Sequence, residues 1–234
     1  MKLLTIIYTT LSLMLIMSVS PSSAIMKPES SMLLINEADG GGSINVENMA
    51  QEEALLYVKI TDLSDDPQPK LLVTQPVTRV AAGKTQRVRF ILKNDKPLEY
   101  EHLKRVTFEG ISPKTADGNN EISLNIRHNI PVIIHPKGLP FIADPWKALV
   151  WSQSGSILTV KNPGKYVIRL SQNVKLLPSG SASILDKSYV LPGQTMSIQI
   201  KDRKVAEQLQ KVSIETLSKY GYETGTVEMP VSRY

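Results

Sequence analysis

From residue 32 onward, apolar and polar residues alternate in short runs, with turn residues breaking the pattern at intervals of about 8 to 15 positions. A period of two means extended backbone with one face buried and the other wet. The expected strands cover 32–35, 44–47, 54–61, 71–74, 85–92, 103–112 and 121–135, then 148–153, 157–161, 166–173, 183–185, 196–201, 211–217 and 224–231. Only 203–211 has helical spacing, through Val205, Leu209 and Val212. Short alternating strands joined by Gly- and Pro-bearing turns predict an all-β chain of antiparallel sandwiches. His135-Pro136-Lys137-Gly138-Leu139-Pro140 separates two sets of strands, so the expected domains are 25–138 and 139–234.

Residues 1–24 read as a secretory signal peptide. Lys2 gives a positive start, an apolar run follows to Val19, and Ser22 and Ala24 supply the small residues of a cleavage site after Ala24. No later segment is apolar enough for a membrane span, so the expected product acts outside the cytoplasm without membrane insertion. The chain has no cysteine, which excludes a disulfide frame, thiol catalysis and cysteine-ligated metal. Packing must hold the sandwiches together.

Of 27 Lys and Arg residues only Lys2 falls in the leader, leaving 26 against 22 acidic residues, a net charge of +4. The basic residues are scattered, which argues against a nucleic-acid partner. His102, His128 and His135 are the only imidazoles, and His128 and His135 fall on opposite faces of one strand, so neither a metal nor another cofactor is expected. No nucleophile elbow or phosphate loop is present, and Gly40-Gly41-Gly42 sits in a hairpin setting. An enzyme is not expected.

Four segments, in order, resemble the periplasmic pilus-assembly chaperones of the chaperone-usher pathway. The first is Gln75 to Arg89, with Arg79, Gly83 and a Val-Arg strand; the second is Glu101 to Pro113, closing on Phe108-Glu109-Gly110-Ile111-Ser112-Pro113. The third is Ile122 to Pro136, and the fourth is Leu158 to Val167, similar to an Asn-Pro-x-x-Tyr hairpin. The resemblance implies two immunoglobulin-like β-sandwich domains in an L-shaped arrangement. It also implies donor-strand complementation of pilus subunits and delivery to an outer-membrane usher. The string from Arg127 to Val132 looks like the divergent, archaic branch. A secreted sandwich adhesin or pilus structural subunit is the alternative, disfavoured because two complete domains and no long amino-terminal donor extension are expected.

Within the third segment Ile122, Leu124 and Ile126 alternate with polar residues and form one aliphatic row. By the resemblance this row fills the groove of an incomplete subunit while its backbone completes the subunit's sheet. An exposed row of this kind also predicts self-association of the free protein. Pro131 lacks an N–H and belongs on an edge. Well-known relatives grip the subunit's terminal carboxylate with two basic residues, but Met32 and Pro131 stand at those places. Arg127 is the leading substitute anchor, with Arg89, Lys59 and His128 behind it. Glu101 matches the family's buried interdomain Glu, and His135 replaces its Arg.

Overall fold

The computed structural model describes residues 26–111, 126–218 and 222–234, so the expected leader lies outside the described residues. Strands account for nearly all regular structure. The first half contains β1 (Met26–Pro28), β2 (Leu33–Asn36), β3 (Gly41–Asn48), β4 (Ala54–Asp62), β5 (Lys70–Val73), β6 (Val77–Val80), β7 (Thr85–Lys93), β8 (His102–Ile111) and β9 (Arg127–His135). Their order is β5-β7-β3-β2-β9-β8-β4-β6, with β1 also on β3. Between β2 and β3 the register comprises the single pair Asn36↔Gly41, and there the sheet folds over on itself. The two limbs close on one core that includes Ile35, Ile44, Val46, Leu56, Phe108 and Val132.

The second half contains β10 (Val150–Ser154), β11 (Ile157–Lys161), β12 (Ile168–Leu177), β13 (Ser181–Ile184), β14 (Tyr189–Val190), β15 (Thr195–Gln199), β16 (Lys211–Leu217) and β17 (Glu223–Arg233). The path runs β13-β12-β16-β17-β10-β11-β15 around a core centred on Trp151, Leu158, Leu170 and Ile214. A short α-helix, α1 (Arg203–Gln208), begins at Asp202, whose carboxylate accepts from the Lys204 N–H at 2.8 Å.

β1, β6 and β14 were not expected from the sequence. β1 and β14 run for three and two residues, too few for a period of two to register, and β6 buries only Val80, so no alternation marks it. All three owe their extension to the longer strands beside them, β3, β4 and β12.

The halves share an unanticipated internal pin. Asn48 donates its amide to the carbonyls of Val80 and Glu52 at 2.8 and 2.9 Å and accepts from the Ala50 N–H at 3.0 Å. Asn162 does the same with Val190, Tyr166 and Gly164 at 3.0, 2.8 and 3.0 Å. Their backbone carbonyls receive Gly83 and Gly193, glycines at φ 64° and 74° in matching turns. Each fully buried Asn thus fixes a turn against a remote strand with three side-chain bonds, and three satisfied bonds are what make a buried amide tolerable.

Candidate functional site

Strand alternation in β9 sorts its side chains into two rows. Ile130, Val132 and Ile134 enter the first core, while Ile133 faces the second sandwich. By the same period Ile126 and His128 lie on the core-facing side. Ile126 is half-buried, and the His128 Nε2 is buried without a hydrogen-bond partner among the described residues. Ile122 and Leu124 lie outside the described residues.

The pairing of β9 changes along its length. β8 flanks it from Arg127 through Ile134, whereas β2 pairs only from Val132 onward. Among the described residues, therefore, β9 has a free edge from Arg127 to Pro131. Pro131 is buried and stands at the last position before that edge is taken up, where its missing N–H leaves no open donor.

The sandwiches meet through Met32, Leu103 and Ile133 of the first and Val167 and Leu191 of the second. Polar clasps flank this seam. In the loop after β4, Asp66 accepts from the Leu103 N–H at 2.7 Å and lies 2.7 Å from the His102 Nδ1. The buried Lys104 ammonium donates to the carbonyls of Asp66 and Gln68, and desolvation pulls it below the ordinary lysine value. A loop so tied aims Asp65 across the seam at the Lys187 ammonium, the Gln194 amide and the Tyr189 hydroxyl, at 2.5, 3.0 and 3.3 Å. Burial opposes ionisation of Asp65, but the hydrogen bonds from Lys187, a backbone N–H and Gln194, with the Lys187 charge, together outweigh it and hold the carboxyl below its usual value. Asp65→Ala is expected to cost about 1 kcal/mol and to lower the calorimetric midpoint by about 2–4 °C.

The second clasp joins Glu101 and His135, both buried. The His135 Nδ1 lies 2.8 Å from Glu101 Oε1, and its Nε2 lies 2.7 Å from the Leu139 carbonyl. Glu101 reaches the second sandwich as well: Oε2 accepts from the Val167 N–H at 2.8 Å, and its own N–H donates to the Lys165 carbonyl at 2.8 Å. Burial raises Glu101 above the usual carboxylate value despite the hydrogen bonds from His135 and Val167. Phe141 stacks on the His135 ring, with centroids 4.0 Å apart.

The expected anchor residues are dispersed. Arg127 points from the outer face of β9 and pairs with Glu109 at 2.8 Å. Lys59, on β4, is exposed on that same outer face, opposite Thr107, whose partner on the other side is Asn129. Arg89 is exposed on β7, opposite Ser43, on the other limb of the sandwich. His128 turns toward the core side.

Two arginines that sequence reading passed over meet at the cleft instead. Arg105, on β8, is the register partner of Pro131 and donates to the side-chain and backbone oxygens of Asn129 at 2.9 and 2.6 Å. Arg169, on β12, places a guanidinium nitrogen 3.2 Å from the Met32 sulfur. Burial lowers both below the ordinary arginine value, and Arg105 lowers Arg169 further, so the two charges feel each other. Among the described residues no carboxylate forms an ion pair with either. Both alternate with core residues along their strands, and that parity marks an outward face. Nothing in a single sequence says that two outward faces meet.

Comparison with known proteins places both halves. The family described as "Pili and flagellar-assembly chaperone, PapD N-terminal domain" matches residues 25–140, and "Pili assembly chaperone PapD, C-terminal domain" matches 144–226. The chain is 38% identical over 216 residues to the "Uncharacterized fimbrial chaperone YhcA" of Escherichia coli K12, covering 92% of this chain and 94% of that protein. It is 28% identical over 195 residues to "Chaperone protein PsaB" of Yersinia pestis, covering 72% and 71%. In fold it is similar to a chain of the Salmonella enterica structure of the SafA pilin in complex with the SafB chaperone, with a TM-score of 0.72 at 18% identity, covering 90% of this chain and 98% of that one.

Proposed function

Since this chain belongs to the PapD family of pilus-assembly chaperones and is a chaperone for pilus subunits, we propose that it works by lending the segment that leads into β9. The free edge of β9 from Arg127 to Pro131 carries this reading. A subunit lacking one strand has an open backbone ladder and an open apolar groove. The lent backbone satisfies the first, while Ile122, Leu124 and Ile126 fill the second at about 25 cal/mol per Å² of apolar surface covered. Backbone pairing makes few demands on sequence, which suits a chaperone of several subunits.

The subunit's terminal carboxylate docks between Arg105 and Arg169. Each stands beside one of the positions where the usual basic residue is missing: Arg105 opposite Pro131, Arg169 against Met32. Two part-buried guanidiniums without a carboxylate are an electrostatic debt that an incoming carboxylate settles with charge-assisted, bidentate bonds. Arg127, engaged with Glu109, and Arg89, on the far limb, are displaced from this role, and Lys59 is left at the margin of the face that carries Arg105.

The role requires no catalysis. Fimbrial chaperones of this family are periplasmic, which fits residues 1–24 being a cleaved leader, and the loaded chaperone passes its subunit to an outer-membrane usher. The reading as an adhesin or structural subunit is not favoured. Co-expression with a pilus subunit and size-exclusion chromatography test the proposal: a one-to-one complex is expected, and a subunit that aggregates equally with and without this protein would refute it.

A further inference from the structure

The interdomain clasp has a hydrogen-bonding requirement that the rest of the seam lacks. Both ring nitrogens of His135 face acceptor oxygens at ordinary hydrogen-bond distance, a carboxylate on one side and a backbone carbonyl on the other. A neutral imidazole carries a single N–H and satisfies only one of them. Both bonds exist only when the pair holds one extra proton, as imidazolium with carboxylate or as neutral ring with carboxylic acid. Removing that proton leaves a lone pair facing either Glu101 or Leu139 in a buried site, and one contact must open.

Either opening loosens the support of Arg169, because Leu139 lies in the linker between the sandwiches and Glu101 bridges them. Glu101 holds His135 with one oxygen and the Val167 N–H with the other, and Val167 lies two residues before Arg169 at the start of β12. The line from His135 through Glu101 and Val167 thus sets where the second sandwich presents its guanidinium to Arg105. We propose that His135 is a positioning residue for the carboxylate anchor, and that it holds the two sandwiches in the capturing orientation only while the His135–Glu101 pair keeps its proton. This rests on the assignment of Arg105 and Arg169 as the anchor.

Other titratable groups on the elements packed around the ring do not replace that proton. Tyr166 donates its hydroxyl to the Pro140 carbonyl at 2.5 Å. Glu37, after β2, accepts from the Lys137 N–H at 2.8 Å. His102, on β8, is committed to Asp66, Lys165 contributes its backbone carbonyl, and Arg169 contacts the Met32 sulfur.

The sign follows from proton counting. Glu101 is raised in the folded state, so the joined form binds more protons than the parted one, and the clasp weakens as pH rises. The Asp65 clasp runs the other way: its carboxyl is lowered, so its contribution is lost only as pH falls through the carboxylate range. The two windows do not overlap.

The absence of cysteine makes a clean test available, because one cysteine introduced at Lys84 and one at Lys201 take spin labels uniquely. Inter-label distances are measured on the free protein from about pH 5 to about pH 9. The native joint is expected to give a narrow distribution that broadens as pH rises, His135→Arg a narrow one throughout, and His135→Gln a pH-independent one. Capture of a co-expressed subunit, followed over the same series, should weaken severalfold with rising pH in the native protein and stay flat in His135→Arg. A native distance distribution indifferent to pH, or a His135→Arg response like the native one, overturns the proposal. So does a distance response without any change in capture. The distance readout needs no subunit, and Arg169→Met at one fixed pH tests the anchor alone, so the two readings fail separately.

Discussion

Leu124→Asp is expected to weaken subunit capture by about a thousandfold while leaving the thermal midpoint of the free protein unchanged. Withdrawing a leucine from an apolar groove forfeits about 1.5–3 kcal/mol. Placing an unpaired carboxylate there adds a desolvation penalty of several kcal/mol more. A combined loss above about 4 kcal/mol corresponds to three decades of affinity. Leu124→Met, which conserves volume, should change capture by less than about tenfold. The unchanged midpoint separates two meanings of an aliphatic row. A side chain packed in its own sandwich would lower the midpoint by several degrees when replaced by Asp. If Leu124→Asp destabilises the free protein and still captures subunits, the row belongs to the first domain's core and strand donation is refuted.

The period of two located most strands; it also marks out the row of Ile122, Leu124 and Ile126, whose role comes from the resemblance and not from spacing. Its limits are also physical. β14 is two residues long and exists because β12 offers a ladder to pair with, so no local pattern announces it. Asn48 and Asn162 read as ordinary turn residues; their burial depends on carbonyls 32 and 28 positions away. The Glu101–His135 pair was pointed to by resemblance rather than by spacing, since its members are 34 residues apart on neighbouring strands. The cleft arginines were hidden most completely. An arginine that alternates with core residues looks like a solvated face in any strand, and Arg105 and Arg169 are exceptional only because a second sandwich covers that face. Conversely, Arg127 and Arg89 look suitable in sequence, but one is engaged by Glu109 and the other stands on the limb of the fold away from the joint.

That contrast sets up the second large effect. Arg105→Met and Arg169→Met keep the apolar stems that line the seam and remove the charged heads. Each should weaken capture by about tenfold to a hundredfold, from about 1.5–3 kcal/mol per charge-assisted bond lost, and the pair by about two to four decades. Lys59→Met and Arg89→Met should change it by less than about threefold. A subunit whose terminal carboxylate is converted to an amide supplies the other side of the cycle. It should bind the native protein as weakly as the normal subunit binds the double variant. It should then lose little more when the arginines are removed, because the interaction is already gone. Additive losses would mean that the guanidiniums and the carboxylate act independently, and a loss at Arg89→Met matching that at Arg169→Met would move the anchor to the other limb. Either outcome would leave strand donation standing and remove the cleft from the mechanism.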